Sequence, residues 1–299
     1  MFEIKKIIKE RYGVILLFAI FIFSFALNLY VLTRYSLSYG IDGAFYNNQI
    51  ASILQTGFPI TADPPLAYYL LTPFALAGGQ LLGLKIGTAF FGAVLAFPAF
   101  YLTELYFKNK NEVSKSSKAP ALLSAFLITV NVNYFSMVGS YGILQNLVGV
   151  FFLVLMLYFA IKWMENSPKN KKFGVITIIL LACNMLTHIY TGALAVILFF
   201  GLIIFTIFFK KLKTGKTPFF EVKIFVLVGV LVAGTFATLF AFYPIMVSKF
   251  TTFLSFFGFF SGAELNNMGS NNLDACYNYF CSLPFFLGIF SGVMIKTGS

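Results

Sequence analysis

Charge is what this sequence has least of. Only 10% of its 299 residues are Asp, Glu, Lys or Arg, where a soluble domain carries about 25%, and 59% are hydrophobic. So few charges cannot cover the surface of a water-exposed fold, which excludes an ordinary soluble domain; a mean hydropathy of +0.87 agrees. The same hydrophobicity excludes a disordered chain. Cysteine is scarce too: there are three, one of them (Cys183) inside an apolar run, and they give neither a zinc-ligand spacing nor a disulfide framework. The connections between apolar runs hold no Walker sequence and no GxGxxG, so nothing supports chemistry driven by a nucleotide or a nucleotide-sugar. What remains is a multi-pass membrane protein. In such a chain the excess of 21 basic over 10 acidic residues chiefly sets topology and does not point to nucleic acid.

A helix needs about 20 largely apolar residues to cross the hydrocarbon core, and crossing segments must be helical because lipid offers no partner to exposed backbone polar groups. Such runs cover 13–33, 84–106, 119–138, 143–163, 173–191, 192–209 and 224–247. A last run, 283–295, is too short to span and leads into Lys296, as expected of a chain that continues past Ser299. Lys5, Lys6, Lys9 and Arg11 precede the first run, but its apolar part is too long for a signal peptide and no small-x-small cleavage site follows. The expected fold is an all-α polytopic bundle of about 7–8 spans, forming one transmembrane domain over 1–299.

With these spans, most basic residues fall on one side of the membrane, in the clusters Lys5–Arg11, Lys108–Lys118, Lys162–Lys172 and Lys210–Lys223. Only Arg34, Lys85 and Lys249 fall on the other. The asymmetry predicts a cytoplasmic N-terminus, and the Lys-, Ile-, Phe- and Asn-rich composition fits a plasma membrane. Two long external loops follow, 34–83 and 248–282. They hold the only carboxylates outside: Asp42, Asp63, Glu264 and Asp274.

The first external loop carries the most information. Asp42 opens a segment of helical periodicity in which Phe45, Gln49, Ile50 and Ile53 share a face. An acid at a helix start serves as a cap as readily as it does chemistry. Asp63 precedes Pro64-Pro65 at the start of a second short apolar helix, so the capping reading is favoured for it. That helix carries the pair Tyr68-Tyr69 and suits the membrane interface.

The order of these elements resembles the first external loop of the GT-C glycosyltransferases, membrane enzymes that use polyprenyl-phosphate sugars. They include protein O-mannosyltransferases and lipid A aminoarabinose transferases. In that pattern an acidic motif soon follows the first span; a short amphipathic helix, a loop ending in Pro-Pro-Leu-x-Tyr and the second span come after it. Asp42 matches the acidic position, Pro64-Pro65-Leu66-Ala67-Tyr68 the second element, and Lys85 a basic residue at the start of the second span. The match covers about 70 residues. Gly43 stands where many members have Glu, and Asp63 where many have a base.

Polar groups inside spans are costly and usually face protein or a water-filled cavity. Here they gather in the outer halves: Asn184, Thr187, His188 and Thr191 in the fifth run, Gln145 and Asn146 at the start of the fourth, and Asn131, Asn133 and Ser136 in the third. Together they outline a vestibule at the level of the Asp42 loop. For Asn131 and Asn133, bonding between helices is the favoured reading. His188, the only histidine, is as well read as a packing residue as a ligand. Cys276 and Cys281 lie in the second external loop, as a disulfide or as two thiols. The Phe253–Phe260 run reads as an interfacial helix.

The resemblance implies an inverting single displacement, with Asp42 as general base for the acceptor hydroxyl. Lys85, then His188, with Arg34 third, would hold the donor phosphate, and Asp63, Tyr68, Gln145, Asn146, Asn184, Thr191 and Glu264 would line the substrate pocket. The implied partners are a polyprenyl-phosphate sugar, membrane lipid and an acceptor that is a protein, lipid or glycan. A divalent metal held by Asp42 with Glu264 or Asp274 is compatible with the pattern, though nothing in the spacing demands it. Two other readings stay open: a transporter or flippase-like protein, and a non-catalytic subunit on the same scaffold.

Overall fold

A computed structural model describes residues 2–34, 36, 42–61, 63–108, 118–130, 144–166 and 171–214, with 223, 226, 229 and 230. Asn131, Asn133, Ser136, most of the predicted run 224–247, the loop 248–282 with Glu264, Asp274, Cys276 and Cys281, and the run 283–295 lie outside the described residues. Among those described, all regular structure is helical: α1 (Phe2–Thr33), α2 (Gly43–Thr56), α3 (Leu66–Gly78), α4 (Gln80–Val94), α5 (Ala96–Lys108), α6 (Lys118–Val130), α7 (Leu144–Asn166), α8 (Lys171–Thr187) and α9 (Ile189–Thr214). Four stretches are long and apolar enough to cross a membrane: Tyr12–Thr33, Gln80–Phe107, Leu144–Glu165 and Ile189–Phe208. As described, α6 has 13 residues and α8 has 17, so of the larger number of spans expected four are supported by length and composition. The break expected between residues 191 and 192 falls instead at His188.

α4 and α5 form one apolar rod interrupted at Leu95. Pro98, in the first turn of α5, has no N–H to return to Val94, so the ladder opens there without ending the rod.

The chain divides into two compact units. In the first, Met1–Phe159 with Ile176–Thr191, α1 packs along α4, α5 and α6. Leu17 lies with Ala96, Phe100, Ala121 and Ala125 near one end, and Leu32 lies with Ala89 near the other. Between them a polar seam is satisfied internally: Asn28 Nδ2 donates to the Ser24 carbonyl at 2.8 Å, and Ser24 Oγ donates to the Thr129 carbonyl at 3.3 Å. The Lys118 ammonium lies 4.8 Å from the centroid of the Tyr12 ring, so two of the basic clusters flank the same end of α1 and α6.

Beyond the Leu32–Ala89 contact α4 continues toward its N-terminus for nine residues, about 13 Å at 1.5 Å per residue. There α3 folds back on it. The turn is Gly79, whose φ of 78° and ψ of 155° suit a residue without Cβ. Each step inward along α4 is a step back along α3: a Cβ at Gly83 would stand 2.5 Å from Ala75 Cα and against Phe74 O, and one at Gly87 would stand 2.6 Å from Leu71 Cδ2. This register puts Tyr68 and Tyr69 within about a turn of the level of Ala89.

In the second unit, Ala160–Val175 with Gly192–Ser299, Trp163 stacks on Phe199 with ring centroids 6.5 Å apart and Gly174 lies against the indole. Lys162 and Lys172 both lie over the Phe173 ring, bringing the third basic cluster together.

Candidate functional site

Asp42 occupies the N-cap position of α2 but does not cap it. Its backbone is helical (φ −87°, ψ −1°) where a capping residue is extended, and its side chain makes no bond to the first turn. Only its carbonyl joins the helix, accepting the Tyr46 N–H at 3.0 Å. The carboxylate is left half-buried, and burial raises its pKa above the ordinary 3.8.

Asp63, expected as the cap of α3, does not cap either. Pro65 takes that position, because the helix starts at Leu66 and not at the prolines. Asp63 lies two residues before it, and its Oδ2 accepts a hydrogen bond from Thr61 Oγ1 at 3.3 Å.

The buried face of α2 is Tyr46, Gln49, Ile50 and Ile53. Phe45, placed on that face by the sequence reading, is 37% exposed against 5% for Tyr46. Two adjacent aromatics leave the phase of the helix open by one residue, and the spacing i, i+3, i+4, i+7 from Tyr46 is the one that closes. Tyr46 is thus the site residue that sequence reasoning missed. Its hydroxyl faces the backbone N–H groups of Gln145 and Leu144, donors that the first turn of α7 leaves without an intrahelical partner. Burial, and after it the charge of Asp42, pushes its pKa up, against the opposing pull of those N–H groups.

Tyr68 completes the group. Its ring centroid lies 6.1 Å from that of Tyr46, tilted by 46°. It is 0% exposed, and its hydroxyl has no hydrogen-bond partner. Burial first, then Asp63, Tyr46 and Asp42, pushes this phenol up as well. Gln145 ties α7 to the same loop, its Nε2 donating to the Pro64 carbonyl at 3.3 Å. Four short-range facts of the sequence, at 42, 46, 63 and 68, become one cluster of two carboxylates and two phenols that stay protonated. Carboxylates only accept, while phenols donate and accept. The set suits the hydroxyls of a neutral polar ligand such as a sugar or an acceptor alcohol.

No known protein family, curated protein or solved structure matches the chain. The resemblance to the GT-C enzymes therefore rests on the sequence pattern alone, from the first span through Asp42 and Pro64-Pro65-Leu66-Ala67-Tyr68 to Lys85.

One turn along α7 from Gln145 lies a second polar group. Asn184 Nδ2 donates to the Gly149 carbonyl at 3.0 Å, and Thr191 Oγ1 sits where a Cβ on Gly149 would stand. Asn184 Oδ1 is buried with no partner, and Asn146 is buried beside Gln145. The predicted polar stripe of the fifth run thus meets the same helix that receives Tyr46. Replacing Gly149 by Ala forces a methyl into Thr191; a lowered melting temperature is expected, partly restored by Thr191→Ala, which removes Oγ1 but keeps a Cβ 2.9 Å away, as measured by thermal unfolding in detergent.

The predicted cations are spread more widely. Lys85 is buried in α4, one turn before Ala89 on the same stripe, over the end of α1. Arg34 is exposed just past α1, its N–H on the Val31 carbonyl at 3.4 Å. His188 lies between α8 and α9 with its ring 5.2 Å from that of Tyr190. Among the described residues no group of three or more His, Cys, Asp or Glu lies close enough to hold a metal ion.

Proposed function

We propose that this chain is a GT-C-type glycosyltransferase that moves a sugar from a polyprenyl-phosphate donor to an acceptor protein, lipid or glycan on the extracytoplasmic face of the plasma membrane, with its N-terminus in the cytoplasm. The observation that carries the reading is Asp42: a carboxylate at a helix start that caps nothing, half-buried, in one cluster with Asp63, Tyr46 and Tyr68. A cap would have spent its oxygens on backbone N–H groups; this one keeps them for a ligand.

Depth supports the same reading. The cluster stands level with the outer end of the apolar stretch of α1 and at the start of α7. From Leu144 to Glu165 α7 has 22 residues, about 33 Å, which matches the hydrocarbon thickness of about 30 Å. A group at its first turn therefore lies at the membrane surface, where a lipid-borne phosphate lies.

In the proposed step Asp42 takes the proton of the acceptor hydroxyl as its oxygen attacks the anomeric carbon. The bond from that carbon to the phosphate oxygen breaks, and the phosphate leaves as an anion with no proton required. One base opposite one leaving group gives inversion, unlike the paired carboxylates of a retaining hydrolase. Charge on the leaving phosphate calls for a cation, and Lys85 over the end of α1 is the first choice, before His188 and Arg34. Asp63, Tyr68, Gln145, Asn146, Asn184 and Thr191 supply the polar lining.

The test is transfer of radiolabelled sugar from a polyprenyl-phosphate donor in proteoliposomes. Label that reaches no acceptor with any lipid-linked donor defeats the reading, and solute counterflow in the same vesicles would establish the transporter instead. Lys85→Ala is expected to raise the donor KM by roughly tenfold or more, the loss of one charge-assisted contact of about 1.5–3 kcal/mol; an unchanged KM moves the phosphate to His188 or Arg34.

A further inference from the structure

The connection between α2 and α3 is short, apolar at its tip and tied down from four sides. Gly57 closes α2 in a left-handed conformation, its N–H on the Ile53 carbonyl at 2.9 Å. Ser52 Oγ donates to the Phe58 carbonyl at 2.8 Å and Tyr69 Oη to the Gly57 carbonyl at 2.8 Å, while Thr56 Oγ1 accepts the Phe58 N–H at 3.2 Å. From beneath, the buried Gln49 accepts the Ile60 and Thr61 N–H groups on Oε1 at 2.8 and 3.2 Å. A loop this heavily bonded is not exposed for want of order. Yet its two large side chains point away from the protein: Phe58 is 71% exposed and Ile60 67%.

The height of the loop is fixed by Tyr69, which holds Gly57. In the α3–α4 register Tyr69 is within about a turn of the level of Ala89, and Ala89 packs on Leu32 at the outer end of the apolar stretch Tyr12–Thr33. The loop therefore stands where α1 leaves the membrane, within about a turn of the level of the exposed Tyr30 of α1. At the tip of the α3–α4 hairpin, about 10 Å further out, Leu76 is exposed as well.

We propose that residues 57–61 form a wedge set into the lipid surface, with Phe58 and Ile60 in the boundary between headgroups and acyl chains on the side of the membrane that carries α2 and α3. Aromatic and aliphatic side chains are favoured at that depth. Through Gln49, Ser52 and Tyr69 the wedge fixes the height of α2 and α3 against the bilayer. The proposal needs only the membrane-spanning helices and stands or falls apart from the transferase reading.

The chain has one tryptophan, Trp163, so Phe58→Trp in a Trp163→Phe background reports on the loop alone. In phosphatidylcholine vesicles containing lipid brominated near the headgroup end of its acyl chains, its emission is expected to be blue-shifted and quenched at least twofold. Leu76→Trp in the same background is expected to emit as in water and to lose less than a fifth of its intensity. If Trp163→Phe lowers the yield, the same readings are taken as the extra quenching over a parent that keeps Trp163. An unquenched reporter at 58 overturns the wedge; equal quenching at 58 and 76 overturns the assigned depth and lays the whole hairpin in lipid.

Discussion

Replacing Asp42 by Asn is expected to lower sugar transfer by about 10²–10⁴-fold, the usual contribution of a positioned general base, in a protein that still folds and inserts. The structure makes the two ordinary readings of this residue give different results. Were Asp42 a cap, Asp42→Ala would lower stability by about 1 kcal/mol, and Asn, a good cap itself, would restore it. No capping bond exists to lose, so both variants are expected to melt no lower than the parent near neutral pH. Burial makes the folded chain hold the Asp42 proton above its ordinary 3.8. The stability this group contributes is therefore greatest at low pH and is lost as pH rises through the folded value; above it, the ionised carboxylate burdens the fold and Asn lifts the burden. Activity runs the other way, because a base must be ionised. The kcat/KM profile is expected to rise with pH through an apparent value above 3.8, and Asp42→Asn is expected to remove that limb. Loss of transfer with unchanged or raised melting, and loss of the acidic limb, together mark chemistry; loss of transfer with a lowered melting temperature in Asn and Ala alike marks a structural role.

How much of this was legible in the sequence depended on the length of the pattern that carried it. The membrane character and the first, second, fourth and sixth runs were plain, because about 20 apolar residues in a row have one physical use. The pair α2 and α3 was legible from Asp42, Pro64 and Pro65, which mark helix starts. The phase of α2 was not: Phe45 and Tyr46 are both aromatic, and only the packing of Ile50 and Ile53 chooses between them. Nor was the failure of Asp42 and Asp63 to cap, since capping depends on backbone angles that composition does not fix. The meeting of Asp42 with Tyr68 and of Tyr46 with Leu144 and Gln145 joins residues up to about a hundred positions apart. The first follows from the fold-back of α3 on α4 and the second from the packing of α2 against the start of α7, and no local periodicity encodes either. The signal that could have flagged the first is the placement of small residues, Gly79, Gly83 and Gly87, where a turn and two close approaches fall in one helix.

Two glycines put that fold-back to the test and a third, in α9, serves as the control, because the same added methyl meets different surroundings at each. At Gly83 it meets main chain: Phe74 O and, at 2.5 Å, Ala75 Cα. Backbone held in a helix cannot step aside alone, so α3 must move bodily, at the 1–3 kcal/mol or more that overpacking costs. At Gly87 it meets the end of the buried Leu71 side chain at 2.6 Å and the Phe74 ring at 3.2 Å, side chains that yield more easily than main chain. At Gly201 nothing lies within 4 Å, and Ala in place of Gly favours the helix by about 1 kcal/mol. The expected order of melting temperature in detergent is therefore Gly201→Ala above the parent, Gly87→Ala near it, and Gly83→Ala well below. Activity is expected to separate the last two further. α3 carries Tyr68, and the turn before it carries Asp63, so a displaced α3 pulls one phenol and one carboxylate away from Asp42 while α2 and α7 stay joined through Tyr46. Gly83→Ala should then lose transfer at temperatures where it is still folded, and Gly87→Ala should keep it. A Gly83→Ala protein with parental melting and parental transfer would mean that α3 does not lie against α4 at this register, and the level assigned to the cluster and to the wedge would go with it.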